Sequence, residues 1–155
     1  MFFFSQFTAR RQDLAARLLF AAIAGPLCAL PAQAADLTVV VKNIQSGAGN
    51  VMLGLFDSAT SFPKTVAKGV QIPAATRDAA GRVTLVLRDL APGQYAFSAY
   101  HDLNGNGQLD SNLMGLPTEP YGFSNNARGS FGPPSFQAAG ITLPAQGLTL
   151  ELPVQ

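Results

Sequence analysis

An all-β domain is the fold class this sequence predicts: an antiparallel sandwich of about seven short strands with one long ordered loop. Three observations lead there. Several stretches alternate apolar and polar residues with period two, the pattern of a strand with one buried face. Clusters of Gly, Pro, Asn and Asp separate them, as turns separate sandwich strands. After residue 34, no segment sustains a helical period.

The strands follow in order. Residues 37–44 are β-branched and partly alternating, and Ser46, Gly47, Gly49 and Asn50 make a turn. Residues 51–56 then read as the second strand of a hairpin. Asp57 and Ser58 end it, and the stretch through Phe62-Pro63 has no period. Residues 70–72 form a short edge strand before Pro73, since proline is confined to edges and ends. In residues 82–88, Val83, Leu85 and Leu87 share one face. Pro92 and Gly93 turn the chain into residues 94–101, where Tyr95, Phe97 and Ala99 share a face. Two further strands are expected at 140–144 and 148–152.

The first 34 residues differ in kind. Arg10, Arg11 and Arg17 precede an uncharged run at 18–30, Pro31 and then Ala32-Gln33-Ala34. A basic flank, a short apolar run and small residues before the cut define a signal peptide, so cleavage is expected after Ala34, leaving a single domain at 35–155. The run is shorter than the roughly 20 apolar residues that span a bilayer. Pro26-Leu27 before Cys28 does not suit a lipoprotein signal, and Gln12-Asp13 after the arginine pair does not suit twin-arginine export. The expected location is therefore periplasmic or secreted.

Cleavage would remove three of ten basic and one of nine acidic residues, leaving seven basic against eight acidic. A near-neutral balance argues against nucleic acid or anionic membrane partners, because both need a surplus of Lys and Arg. Cys28, the single cysteine, leaves as well, so the domain makes no internal disulfide and relies on burial.

Residues 102–138 do not fit the strand pattern. They are rich in Gly, Pro and Asn, yet Leu113, Met114, Leu116, Tyr121, Phe123, Phe131 and Phe136 give them apolar surface. We expect a packed, irregular excursion over one end of the sandwich, because unstructured loops of that length are rare in compact domains unless functional.

Within it, residues 102–110 carry the sharpest chemical signal. A calcium loop of the EF-hand kind needs oxygen side chains at positions 1, 3 and 5, glycine at 6, a backbone carbonyl at 7 and a further ligand at 9. Asp102, Asn104, Asn106, Gly107, Gln108 and Asp110 stand at those places, with Leu109 at the apolar eighth. Position 12 is Leu113 and not the bidentate glutamate. With two carboxylates, affinity should be weak, on the order of 10⁻⁴–10⁻³ M, unless Glu119 or Asn112 adds an oxygen. The same residues read equally as hairpin turns, because Asn104-Gly105 and Asn106-Gly107 accept positive φ, with Asp102 and Asp110 capping them.

Other chemistry is thinner. His101 is the single histidine, which excludes a histidine-rich zinc site, and no Gly-x-Ser-x-Gly elbow exists. Gly105-x-Gly107 lacks the third glycine and helix of a dinucleotide site. Arg128 is expected to pair with Asp110 or Glu119.

The chain resembles the bacterial domain-of-unknown-function family two-one-four-one. The likeness rests on residues 90–96, on 101–110 and on the run 115–136 from Gly115 to Phe136. It implies export and an immunoglobulin-like or prealbumin-like sandwich, with no activity assigned. The favoured function is a non-catalytic binding or accessory domain for an unidentified protein or small molecule of the cell envelope. Its recognition surface would be the loop 101–136, through His101, Glu119, Tyr121, Phe123, Asn125, Asn126 and Arg128, with calcium as a candidate ligand of the loop. The alternatives are a hydrolase built on His101, Asp102, Asp110 and Glu119, or a purely structural envelope module.

Overall fold

A computed structural model describes residues 34–155. The predicted leader, up to Gln33, lies outside the described residues. Two sheets pack face to face. In the first, β1 (Ala35–Lys42) lies between β4 (Val83–Leu90) and β8 (Leu148–Pro153). In the second, β3 (Lys68–Pro73), β2 (Asn50–Phe56), β5 (Gly93–Asp102) and β6 (Tyr121–Phe123) follow one another, and β7 (Ile141–Leu143) pairs with the start of β5. All pairings are antiparallel except β1 with β8, which run parallel from Leu37 opposite Leu148 to Lys42 opposite Pro153.

Period two decides what is buried. Leu37, Val39 and Val41 point inward from β1, Val51, Leu53 and Leu55 from β2, and Phe97 and Ala99 from β5, all into one core. Side chains of successive strand residues face opposite sides, so these positions form the inner layer of a two-sheet sandwich. Val83 and Leu87 join them from β4, with Leu85 packed alongside. The edge expected at 70–72 is β3, which ends one sheet.

The hairpin expected between the first two strands does not form. β1 pairs with β4 and β8, while β2 pairs with β3 and β5. Residues 43–49 instead carry the chain from one sheet to the other. Alternation reports which face is buried, not which strand is the partner. Ile44 plugs this crossing, 1% exposed, with its N–H donating to the Gly81 carbonyl.

The long excursion is shorter than its sequence suggests, because β6, a 3₁₀ turn at Ser124–Asn126 and the helical turn α1 (Phe136–Ala139) interrupt it. β6 is an edge strand of the second sheet, and the chain that follows it packs on that sheet's outer face. Phe62, Phe123 and Phe136 pack there against buried Phe56, Ala96 and Ala139. The Phe62 ring makes edge contacts with Phe56, Phe123 and Phe136 at centroid distances of 5.0, 5.8 and 5.9 Å. The Ser124 hydroxyl, fully buried, accepts from the Phe97 N–H at 2.8 Å and donates to the Ala139 carbonyl, tying the excursion to β5.

Candidate functional site

Strand β5 delivers the site. Its last residue, Asp102, is 0% exposed, and the chain then leaves the sheet and wraps around that carboxylate. Oδ1 accepts from the N–H of Gly105 at 2.7 Å and of Asn106 at 3.1 Å, and Oδ2 accepts from Gly107 at 2.8 Å. Three N–H groups can converge on one side chain because Gly105 and Gly107 sit at φ 75° and 78°, a region glycine enters without a Cβ penalty. Two further turns repeat the motif, with Asn104 Oδ1 accepting from Asn106 N–H and Asn106 Oδ1 from Gln108 N–H. Each amide oxygen has two lone pairs, so each retains one.

The side chains of Asn104, Asn106 and Asp110 meet. The Asn104 amide donates to Asp110 Oδ2 at 2.6 Å and the Asn106 amide to Oδ1 at 3.0 Å. Glu119, 6% exposed, closes the base, accepting from Leu103 N–H at 2.8 Å and Asp110 N–H at 3.1 Å. Tyr100 donates its hydroxyl to the Gly107 carbonyl at 2.9 Å. Burial, and then the charges of Asp102 and Glu119, push the Tyr100 phenol above its ordinary pKa.

The two Asn-Gly pairs do not close a hairpin: among the described residues, 103–110 join no strand ladder, and the single bridge nearby links Ser111 with Pro117. Asp102 does cap N–H groups, as the turn reading requires, but within a loop wound about it. Among the described residues, no cluster of three or more His, Cys, Asp or Glu side chains is arranged to hold a metal. A cation on this loop would have to rely on amide and carbonyl oxygens as well as carboxylates, a donor set suited to a hard ion such as calcium.

Several expectations change. Leu109 is no buried anchor but 36% exposed. Asn112 supplies no oxygen to the loop, since its Oδ1 accepts from Met114 and Leu116 N–H groups at 3.0 and 3.1 Å. Arg128 pairs with neither Asp110 nor Glu119; the ion pairs among the described residues are Lys42–Glu151, Asp78–Arg82 and Asp36–Arg88. His101, 1% exposed, faces the core side of β5, its Nε2 2.9 Å from the Ala48 carbonyl. Asp102 and Glu119 are committed to backbone N–H groups, so the residues of the hydrolase reading form no open acid–base pair.

The surface expected along 101–136 divides in two. Tyr121, Phe123, Asn126 and Arg128 line a shallow pocket of about 70 Å³ with Gly129, Gly132 and Pro134. Asn125, at φ 57°, turns its amide to the Ala138 and Gly140 carbonyls. Tyr100, which the sequence offers with Tyr121 and Phe123 as groove lining or as packing for the loop, stands outside that pocket and braces the loop at Gly107. Its position two residues before Asp102 was the available signal, but its inclination toward Gly107 is tertiary.

No curated protein and no solved structure matches the chain. The bacterial family described as "Uncharacterized protein conserved in bacteria (DUF2141)" matches residues 39–150. That span takes in strands of both sheets, the wound loop and the excursion that covers the outer face. By this match over most of its length, the chain belongs to that uncharacterized bacterial family.

Proposed function

We propose that the chain is an exported, non-catalytic binding or accessory domain of the periplasm or extracellular space, with a weak calcium site at Asp102, Asn104, Asn106, Gln108 and Asp110. The observation that carries this reading is the winding of residues 103–107 onto the Asp102 carboxylate, with the side chains of Asn104, Asn106 and Asp110 meeting beside it. Each amide oxygen, while accepting its backbone N–H, would offer its remaining lone pair to an entering cation. Gln108 would contribute its carbonyl, as position 7 does in loops of this kind. Export is supported by the arrangement of Arg10, Arg11 and Arg17 before the uncharged run and Ala32-Gln33-Ala34.

Burial of His101 and the engagement of Glu119 weigh against hydrolysis, since a general base must reach the proton it takes. A thermal melt with calcium, then with chelator, tests the site. At about 10 mM calcium, a Kd of about 10⁻⁴ M gives about 2.7 kcal/mol of stabilisation, on the order of 10 °C for a domain of this size. An unchanged melt at that concentration would discard the calcium site and leave a structural envelope module as the better reading.

A further inference from the structure

Arg128 meets no carboxylate of its own chain. Between Glu119 and Glu151 it is the sole charged residue, and it takes part in none of the ion pairs among the described residues. It stands instead in the wall of the pocket of about 70 Å³ beside β6. A guanidinium without a partner keeps five N–H donors and a permanent positive charge.

The rest of that wall also offers donors. Gly129 and Gly132 line it, and the N–H groups of residues 128–132 make no backbone hydrogen bond among the described residues. Unengaged N–H groups of successive residues form concavities suited to anions. Asn126, at φ 50°, accepts at Oδ1 from Gln155 Nε2 at 3.5 Å, which leaves its amide nitrogen to donate. No Asp or Glu lines the pocket. Its shape is fixed by close backbone approaches. A Cβ on Gly129 would lie 2.1 Å from the Gly132 carbonyl oxygen, and one on Gly122 would lie 2.1 Å from that of Pro153. Only glycine permits such folding.

We propose that this pocket receives one carboxylate group, from a small organic acid or a peptide C-terminus, held by Arg128, Asn126 and N–H groups of the 128–132 segment. Size and charge select the group. At about 30 Å³ per liquid water, a pocket of about 70 Å³ has room for two carboxylate oxygens and too little for a ring. One guanidinium balances one negative charge, and its planar fork matches a carboxylate through two parallel hydrogen bonds. A phosphate group would bring about −1.5 to −2 at pH 7, with no second cation to meet it. Arg128 is exposed, so water and salt weaken the pair and the affinity is modest. The pocket shares no residue with the 102–110 loop, and its ligand does not depend on calcium.

The test uses isotope-labelled protein purified after expression of the full chain, kept in chelator at constant ionic strength. Acetate, phosphate, chloride, and the peptide acetyl-Gly-Ala as free acid or C-terminal amide are titrated while amide resonances of residues 126–132 are followed. Saturable shifts are expected with acetate and the free-acid peptide, and none with the amide or chloride. Arg128→Gln should weaken binding at least about tenfold with the melting temperature unchanged, and Arg128→Lys should weaken it less. A free-acid peptide bound more tightly than acetate assigns the carboxylate to a chain terminus, and equal binding assigns it to a free acid. Shifts that grow linearly, or that chloride reproduces, overturn the site. Phosphate bound more tightly than acetate overturns the carboxylate. Equal binding by Arg128→Gln overturns the role of the guanidinium, and a drop of several degrees in its melting temperature makes Arg128 a structural brace and overturns the assignment.

Discussion

Asp102→Ala removes the acceptor about which the loop is wound. The carboxylate takes three N–H groups at 2.7, 3.1 and 2.8 Å. Hydrogen bonds to a charged group contribute about 1.5–3 kcal/mol each, which sets a ceiling of about 5–9 kcal/mol. Two effects reduce it. The loop lies at the surface, so water can reach part of the freed N–H groups, and burying the Asp102 carboxylate itself costs free energy. A net loss of about 3–4 kcal/mol is expected. In urea, with a slope of about 1.5 kcal/mol/M, the midpoint should fall by about 2 M at unchanged slope. Asp102→Asn keeps one acceptor oxygen and should lose about half as much. Equilibrium unfolding followed by circular dichroism measures both, in chelator so that no metal contributes. A loss below about 1 kcal/mol for Asp102→Ala would show that water satisfies those N–H groups as well as the carboxylate does, and the winding argument would fail.

Four further outcomes follow from the structure. Gly49 has φ 65°, and a Cβ there would lie 1.9 Å from the Asp102 carbonyl oxygen, so Gly49→Ala should cost about 2–4 kcal/mol in urea unfolding. Gly107→Ala, at φ 78° with nothing within 4 Å of the added Cβ, should cost only about 1–2 kcal/mol in the same assay. Phe62→Ala removes three ring contacts from the outer-face cluster; with Phe62 half-buried, about 2–3 kcal/mol should be lost, and proteolysis should then attack the 121–139 region first. The Tyr100 phenol is raised in the folded state, so the folded protein holds that proton at pH values where the unfolded chain has released it. Its contribution to stability is present below about pH 10 and is lost as pH rises through the folded value. Tyr100→Phe should flatten this alkaline decline, as read from urea midpoints across pH 9–11.

Local rules were readable along the chain. Period two in 83–87 and 95–99 named the inward residues, and those residues are in the core or packed against it. Gly105 and Gly107 stood where a bend was needed, and both adopt positive φ. Each of these properties depends on a residue and its near neighbours, which is why the sequence by itself determined the longer strands, their inward faces and the bends of the 102–110 loop.

Partnership was decided only by the tertiary structure. The inward pattern of β1 is the same whether it pairs with β2 or with β4 and β8, because alternation carries no record of the neighbour. Tyr121–Phe123 is too short to show a period, and becomes a strand by pairing with Ser98–Tyr100. Phe123 and Leu113 are equally apolar in the sequence, yet one packs on Phe62 and the other stands in solvent. Hydrophobicity sets the driving force for burial, but which side chains find a face to cover depends on where distant segments cross.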